Sequence, residues 1–450
     1  LGLAGAGLGA AAAATPVFHD MDELTSSKGS HPEMRWWIKE RDFHDFTTPA
    51  DWDIIKPYDR VANPMPPFFG TPNPEELLQG DVDADGLINA TPGRSIRDVA
   101  FSSGSSFIGP NAPWDGPKAS LPKGAPGPWT GTPEDNLNTM RAAIHAYGCK
   151  TVGAIEIDDK TKKLMDKKGV IWDSSLDSYE GYRDDDKVYH IPNKCRYMLT
   201  FATKQNAVQN LYSLSQHPTD PERYFTTIPL GGQSVGHAYS HAAQLKYMTM
   251  RFIKTLGYGA YSTGVSANAS LGVASGLGEQ GRPSYLCSPD YGLSLRYTAY
   301  IITDFPLAPT KPIDGGVVEF CKVCGRCSDT CPADACSKED DISFDTAGIW
   351  NRPGFKGWHM DWLSCCGFGS PMTCGCCQLI CPFNHPEDGS IHPVIRAIAG
   401  TTSVFNGFFS NMERFMGYGR TRNEDELFDW WNRDLNTWKY DTLLGFGQSV

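Results

Sequence analysis

The sequence predicts a mixed α+β fold, with helices and a sheet in a layered α/β core followed by a small cysteine-rich domain. Helical and strand patterns alternate between residues 136 and 305, as expected where helices pack on a sheet. Eleven of the fourteen cysteines fall between Cys321 and Cys381, which indicates a separate module after that core. A chain of 450 residues is long enough to contain both.

The elements of the core follow from local patterns. Pro133 precedes an amphipathic helical pattern, and proline is favoured at the first helical position. The longest helical pattern ends at Gly257, because glycine readily terminates a helix. Runs of β-branched and aromatic residues mark the strands. We therefore expect helices over 134–147 and 237–256, strands over 151–157, 197–203 and 297–304, and a Gly/Ser/Asn-rich loop over 262–278.

Composition divides the chain into five segments. Residues 1–14 are small and apolar, and residues 15–135 are loop-rich with aromatic clusters that we expect to pack on the core. Residues 136–314 form the core itself and 315–395 the cysteine-rich domain. Residues 396–450 are rich in aromatic side chains, so we expect this last segment to pack back on the core.

The cysteine spacing carries the strongest chemical signal. Three thiols at C-x2-C-x2-C spacing, then x3-C-P, is the bacterial ferredoxin pattern, in which the fourth cysteine ligates the other cluster. This run begins at Cys321, and a C-x2-C-x3-C-P run begins at Cys374. We predict two [4Fe–4S] clusters, the first held by Cys321, Cys324, Cys327 and Cys381, and the second by Cys331, Cys374, Cys377 and either Cys365 or Cys366.

Structural zinc and disulfides are the competing interpretations. Zinc sites use separated C-x2-C pairs without a three-thiol run or a terminal Cys-Pro, and disulfides suit dispersed cysteines in a secreted chain. Neither matches this spacing. Cys336 and Cys376 are expected to be spare thiols within the module. Cys149, Cys195 and Cys287 are expected to be buried small apolar residues.

The segment 1–14, LGLAGAGLGAAAAA, resembles the apolar part and Ala-x-Ala end of an export signal. It is too short to span a bilayer as a helix. A buried Ala/Gly-rich strand–turn segment is the structural alternative. Iron–sulfur clusters must be inserted before export, so a signal here would indicate the twin-arginine (Tat) route.

Several other classes of site are disfavoured. A net charge of −12 and no dense basic run argue against a nucleic-acid partner. Asp81 begins a sequence like a calcium loop, but Pro92 stands where a bidentate Glu is needed. His237 and His241 are one helical turn apart, yet they lack the Glu of an H-E-x-x-H zinc hydrolase motif.

Several short motifs occur in a fixed order along the chain. The segments before the first cysteine run are RWWIKERDF (35–43), LGYGA (256–260), GLGEQGR (276–282), SPDYGLSLR (288–296) and TDFPLAPTKPID (303–314), and CxxCxxxCPF (374–383) comes last. Together they resemble the respiratory corrinoid/iron–sulfur reductive dehalogenases. The resemblance covers residues 30–440 approximately and depends on the order of the motifs, because each motif alone is short.

The resemblance implies a corrinoid-binding core related to flavin nitroreductases, followed by a ferredoxin-like domain with two [4Fe–4S] clusters. The corrinoid would be bound base-off, without the Asp-x-His-x-x-Gly loop of other cobalamin domains, and this chain has no such loop. No spacing rule in the sequence demonstrates cobalamin by itself. Trp36, Trp37, His237 and Tyr258 are the expected corrinoid contacts, and Trp52, Trp358 and Trp362 are further candidates for lining an apolar substrate pocket.

The resemblance also implies a proton donor and a cation beside it. We assign these roles to Tyr239 and Arg296, with Asn268 nearby, because a guanidinium stabilises the phenolate that remains after proton transfer. Tyr247 is an alternative on the same predicted helix. Arg282 is the alternative cation, and either arginine could instead form a structural ion pair with Asp290 or Glu279.

The predicted function is a terminal reductase of organohalide respiration that removes halogen from a small organohalide at a cobalt corrinoid. We expect an upstream electron donor, a small integral-membrane anchor subunit, and a location at the outer face of the cytoplasmic membrane. Two other classes are considered. One is a cytoplasmic epoxyqueuosine-type reductase that acts on a tRNA base, and the other is an iron–sulfur electron-transfer protein with a non-catalytic core.

Overall fold

The computed structural model describes most of the chain between residues 29 and 435. The predicted export segment and the Asp81 turn lie outside the described residues. Within the described part, no helix is both long enough and apolar enough to cross a membrane. The described ranges are 29–31, 34–60, 62–63, 88–105, 113–216, 219, 224–264, 267–289, 291–369, 374–385 and 391–435.

A four-stranded antiparallel sheet forms the centre of the molecule. Its strands lie in the order β2-β6-β12-β9, and Tyr300 pairs with Thr200 at the middle of the longest ladder. The strands are β1 Lys39–Glu40, β2 Val152–Glu156, β3 Val170–Asp173, β4 Tyr182–Arg183, β5 Tyr189–Pro192, β6 Tyr197–Lys204, β7 Leu214–Gln216, β8 Tyr224–Thr227, β9 Ala260–Tyr261, β10 Glu279–Gln280, β11 Leu286–Cys287, β12 Leu295–Thr303 and β13 Ile313–Asp314.

Helices cover the sheet and build the cysteine-rich region. They are α1 Ile96–Ser105, α2 Pro133–Ala146, α3 Asp159–Lys163, α4 Ala207–Asn210, α5 Pro229–Thr255, α6 Asn268–Ala274, α7 Val317–Cys324, α8 Arg326–Asp329, α9 Trp362–Gly369, α10 Cys376–Leu379, α11 Ile391–Thr401, α12 Asn406–Met416 and α13 Glu424–Asp429. Short 3-10 helices occupy Ser174–Leu176, Pro382–Asn384 and Trp430–Asn432.

The two faces of the sheet belong to two different cores, because side chains alternate along a strand. Leu199 and Ile301 face a core that includes Ile253 of α5. Met198 and Ile302, one position along each strand, face a second core. The predicted layered α+β core is therefore present, with its principal sheet antiparallel.

The predicted helices and strands of the core are largely confirmed. Helix α2 begins at Pro133, and the Thr132 side chain accepts a hydrogen bond from the Asp135 amide at 3.2 Å as its N-cap. The predicted strands at 151–157, 197–203 and 297–304 correspond to β2, β6 and β12 with shifts of one or two residues.

Two predictions were wrong. Helix α5 begins at Pro229 instead of 237, so it includes Gly231 and Gly232, residues that disfavour a helix in isolation. A Cβ atom on Gly231 would lie 2.3 Å from the Ser213 amide nitrogen, so close packing requires glycine there. The predicted loop 262–278 contains α6, which packs Leu271 against the sheet.

The cysteine-rich region packs around a core of its own. Phe320 and Phe383 make an edge-to-face contact at 5.3 Å, and Ile398 of α11 and Phe409 of α12 complete the cluster. The last described segment returns to the first part of α5, where Trp430 packs in a cluster with Leu230 and other apolar residues.

Candidate active site and iron–sulfur ligands

The thiols predicted for the first cluster line one cavity. Leu293, Phe320 and Phe383 supply its apolar walls. Burial, together with repulsion from neighbouring thiols, raises the pKa of Cys321 well above its ordinary value. A buried set of this kind favours thiolates only when a bound cation compensates them, which suits iron. The four thiols are those of Cys321, Cys324, Cys327 and Cys381.

A second group of thiols adjoins the first. Burial raises the pKa of Cys377, and repulsion from Cys365, Cys327, Cys374 and Cys331 adds to it, in that order. This electrostatic neighbourhood contains the predicted second ligand set, and Cys327 connects it to the first.

Packing distinguishes Cys365 from Cys366, because Cys365 belongs to the cluster that contains Cys331 and Cys377. The pKa of Cys365 is raised by burial and then by Cys374, Cys366 and Cys331. For Cys366, burial and the carboxylate of Asp361 account for a pKa raised to about 11. Cys365 is therefore the member of the pair that faces the second thiol group.

The other cysteines differ in their surroundings. Cys149 and Cys195 are buried in the cores on either side of the sheet, as expected. Cys376 donates to the Thr330 carbonyl at 3.4 Å. Cys287 is buried in the same cluster as Cys381, Cys321 and Cys324, so it lies against the first thiol group as well as in the apolar core.

The structure brings the predicted proton donor and cation together. Tyr239 lies on α5 and Arg296 on β12, and the Arg296 guanidinium carbon is 5.2 Å from the centre of the Tyr239 ring. Burial lowers the pKa of Arg296, but attraction from Tyr239, Tyr285 and Cys377 outweighs it, so this pKa is raised. The pair therefore adjoins the second thiol group.

A β-bulge directs Arg296 toward this site. The register of β12 against β6 shifts between Leu295 and Tyr297, at the position of Arg296. An extra residue of this kind turns a side chain away from the regular alternation, and bulges are frequent beside active sites. The Arg296 Nε atom is buried without a hydrogen-bond partner in the described part of the chain, so it is available to a bound group.

Tyr285 is a site residue that the sequence did not indicate. It contacts Trp362 edge-to-face at 5.3 Å and packs against Cys365 and Cys377. Its pKa is raised well above the ordinary value, first by burial and then by those two thiols, while Arg296 opposes the shift. Tyr285 thus lies between the second thiol group and the Tyr239–Arg296 pair. A single tyrosine in a loop gives no sequence signal for such a position.

The positions of Asn268, His237 and Tyr258 give weaker support for a role beside the Tyr239–Arg296 pair. Asn268 is the first residue of α6 and is partly buried. His237 lies two residues before Tyr239 on α5, and residues two apart do not share a helix face. Tyr258 donates to the Trp129 carbonyl at 2.5 Å and packs on Phe305.

The predicted tryptophans serve varied packing roles. Trp37 is buried against Gly400 and meets the partly exposed Trp36 edge-to-face at 5.7 Å. Trp52 packs beside the second face of the sheet. Trp358 is fully buried and donates to the Glu339 carbonyl at 2.9 Å. Their roles as cofactor or substrate contacts stay predictions.

The segment GLGEQGR holds both ends of α7, the helix that carries Cys321 and Cys324. Glu279 accepts hydrogen bonds from the Gly315 and Val317 amides, at 2.8 and 3.2 Å, at the start of the helix. Arg282 donates to the Cys321 carbonyl at 2.8 Å near its end. Arg282 therefore lies beside the first thiol group, whereas Arg296 contacts Tyr239.

A second buried arginine near the first thiol group has an acidic partner. Arg326 lies 3.5 Å from the carboxylate of Glu413, which also contacts His385 at 2.7 Å and His392 at 3.3 Å. Although burial opposes it, hydrogen bonding to both histidines lowers the pKa of Glu413 to about 2. Burial lowers the pKa of His385. Arg326 is the permanently charged cation of this network.

Comparison with known proteins identifies the family. The chain is 31% identical to the chloroethene reductive dehalogenase of Dehalococcoides mccartyi (strain VS), over 98% of this chain and 96% of the relative. The chain belongs to the reductive dehalogenase family. It is 29% identical to the trichloroethene reductive dehalogenase of D. mccartyi strain 195, over 96% of this chain and 94% of that one. No family model matches the sequence.

Solved structures agree with the reductive dehalogenase fold. The chain superimposes on a catabolic reductive dehalogenase with a TM-score of 0.57 and 18% identity. That match covers 84% of this chain and 49% of the other, so the chain spans about half the length of that solved structure. Similarity to the epoxyqueuosine reductase of Bacillus subtilis covers only 29% of the chain, at 28% identity.

These findings confirm the predicted family and activity class. The chain is a reductive dehalogenase, an oxidoreductase acting on carbon–halogen bonds, and the epoxyqueuosine-type alternative is not favoured. The mixed helix and strand architecture also matches the fold of this family.

Proposed function

We propose that this reductive dehalogenase removes halogen from a small chlorinated alkene, using a base-off corrinoid and two [4Fe–4S] clusters. A nitroreductase-like core followed by a ferredoxin-like domain would hold them. The named substrates of its relatives are chloroethene, trichloroethene and tetrachloroethene. The solved structure of one reductive dehalogenase suggests a mechanism for B12-dependent dehalogenation in that protein. The observation that carries the proposal is the contact of Arg296 with Tyr239 beside the second thiol group.

The residues present fit these cofactors. Two adjoining groups of buried or partly buried cysteines have the ligand type of iron–sulfur clusters, and Cys365 would complete the second group. The buried Nε of Arg296 faces no partner among the described residues, as expected beside a binding site. When bound, the clusters would supply electrons and the corrinoid the bond-breaking chemistry.

Tyr239 would donate the proton in the overall reaction R–X + 2e⁻ + H⁺ → R–H + X⁻. The Arg296 guanidinium would stabilise the phenolate left on Tyr239, because opposite charges attract strongly in a buried site. Asn268 would help to orient the substrate. A dihaloelimination would need no proton from Tyr239, so the two outcomes differ in their dependence on this residue.

The corrinoid contacts proposed from the family resemblance are Trp36, Trp37, His237 and Tyr258. Their support is unequal. Tyr258 already uses its hydroxyl at Trp129, and Trp37 is buried against Gly400. His237 and Tyr239 lie on different faces of α5, so one of them at most is expected to face the substrate.

We further propose a respiratory role at the outer face of the cytoplasmic membrane, after export by the Tat route. The apolar run 1–14 is the sequence support for this location. An integral-membrane anchor subunit and an upstream electron donor would complete the system. Detection of the protein at the outer face of the cytoplasmic membrane, together with co-purification of a small hydrophobic subunit, would test the proposed location and anchor independently of the activity.

Anaerobic iron, cobalt and corrinoid analysis of the purified protein tests the cofactor set. We expect about eight iron atoms and one cobalt atom per chain, together with a corrinoid absorption spectrum. Assays with chlorinated ethenes and a strong chemical reductant should then release chloride. Eight iron atoms without cobalt or corrinoid, in protein produced with cobalamin available, would contradict the proposal and favour an electron-transfer protein.

A further inference from the structure

Arg282 is a buried cation whose position the dehalogenation chemistry above does not use. It follows β10 in the GLGEQGR segment, and only 1% of its surface is exposed. A buried charge is costly unless an opposite charge or good hydrogen bonds compensate it. The groups that contact Arg282 therefore indicate the function of its buried charge.

Among the described residues, the polar partners of the Arg282 side chain are all main-chain carbonyl groups. Nε and Nη2 both donate to Cys321, at 3.2 and 2.8 Å, and Nη2 also reaches Lys322 at 3.4 Å. Nη1 donates to Ser337 at 3.0 Å and also to Glu339. The five N–H groups of a guanidinium are thus occupied by neutral acceptors. The indole of Trp358 covers the guanidinium at 4.7 Å.

Carbonyls at the end of α7 carry only partial negative charge, so they do not neutralise a full positive charge. Within the described part of the chain, no carboxylate forms an ion pair with Arg282. The nearby cations differ in this respect. Arg326 is paired with Glu413, and the more exposed Lys322 is paired with Glu319 at 2.6 Å.

A negative charge beside Arg282 would come from a cluster bound at the first thiol group. Arg282 lines the same cavity as the four thiols of that group. Its side chain also donates a hydrogen bond to the main-chain carbonyl of Cys321, one of those four cysteines. The charge of Arg282 therefore lies beside whatever the thiolates bind.

We propose that Arg282 is the fixed counter-charge of the first [4Fe–4S] cluster and raises its reduction potential. The inference rests on the clusters of the proposed function. Reduction adds one negative charge to the cluster, and a buried guanidinium stabilises the reduced state more than the oxidised state. Arg282 is a positioning and tuning residue in this role, since it acts through the cluster and does not touch the substrate.

The test is an anaerobic redox titration followed by EPR on the full-length holoprotein and its variants. For Arg282→Gln, we expect one of the two cluster couples to move to a more negative potential. The expected size is about tenfold in the equilibrium constant for reduction, which is ~59 mV for one electron. The other couple should move much less. A Cys324→Ser variant, which alters the EPR signal of the first cluster, identifies the couple concerned.

Two further variants separate charge from structure. Arg282→Lys keeps the positive charge while losing most hydrogen bonds, so it should retain a potential close to that of the wild type. Lys322→Gln removes a cation from α7, the helix that carries Cys321 and Cys324. That cation is more exposed than Arg282 and is paired with Glu319, so the shift in potential should be small.

The results decide whether Arg282 tunes the cluster potential or only holds the loop in place. An Arg282→Gln protein with full iron content and an unchanged potential would overturn the proposal while leaving the dehalogenase function intact. Loss of about four iron atoms from both the Gln and the Lys variants would also overturn it, because Arg282 would then only hold the loop. A wild-type protein without any cluster signal would instead contradict the proposed function itself.

Discussion

The guanidinium carbon of Arg296 lies 5.2 Å from the centre of the Tyr239 ring, and the two residues come from different elements, β12 and α5. A bulge interrupts β12 between Leu295 and Tyr297, at the position of Arg296, and a bulge redirects the side chain of the extra residue. The contact places a phenol and a cation beside the second thiol group. Four predictions test how this arrangement and its supports work.

The first prediction concerns the proton donor. Tyr239→Phe removes the hydroxyl but keeps the ring, so hydrogenolysis of a chlorinated ethene should slow by about 100-fold or more. Chloride release with a chemical reductant measures the rate. Tyr247→Phe is the matched control on the same helix, where Tyr247 packs at the apolar core. Equal losses in both variants would show that Tyr239 has no special role.

The second prediction concerns the coupling between the pair. Arg296→Lys keeps a charge but loses the planar contact with the Tyr239 ring, so activity should fall clearly. In a double-mutant cycle, Arg296→Lys should cost much less in the Tyr239→Phe background, because residues in direct contact are not additive. Independent, additive losses in kcat would mean that Arg296 does not act through Tyr239.

The third prediction concerns the fourth ligand of the second cluster. Cys365→Ala should lose about four of the eight iron atoms, because Cys365 faces Cys374 and Cys331. Cys366→Ala should keep its full iron content, since Asp361 is its charged neighbour. Iron analysis and EPR of the purified variants measure this. The opposite pattern would assign Cys366 as the ligand.

The fourth prediction concerns pH and the start of α7. Burial, with repulsion from Asp314, raises the pKa of Glu279 to about 7 in the folded protein. A raised carboxyl pKa means that the folded state holds the proton more tightly. The stabilisation that the protonated Glu279 contributes to the folded state is fully present below the pKa of the unfolded chain, about 4.3. This stabilisation is lost as pH rises through the folded-state pKa of about 7.

Glu279→Gln should therefore flatten the dependence of thermal stability on pH between roughly 4.5 and 7. Glutamine keeps an oxygen acceptor for the Gly315 and Val317 amides. Anaerobic thermal unfolding at several pH values measures the effect, and Glu319→Gln, at a more exposed position on α7, is the control. An unchanged slope in the Glu279 variant would show that this carboxyl does not titrate in that range.

The sequence by itself determined the chemistry that depends on local spacing. The interval between Cys321, Cys324 and Cys327 predicts a turn that gathers three thiols, and the structure places them in one cavity with Cys381. Pro133 and the β-branched strands likewise predicted α2 and the sheet, because caps and alternation are local properties. The order of the short motifs indicated the family, which the relatives confirm.

Only the tertiary structure decided the contacts made across the chain. The early start of α5 depends on close packing of Gly231 against Ser213, and a glycine pair alone argues against a helix. The choice between Cys365 and Cys366 depends on which thiol faces Cys374, and Tyr285 becomes a site residue only where it packs beside Cys377. Arg282 and Arg296 are chemically identical in the sequence. Their different roles arise because one reaches main-chain carbonyls and the other a tyrosine ring, and burial makes each of those partners decisive.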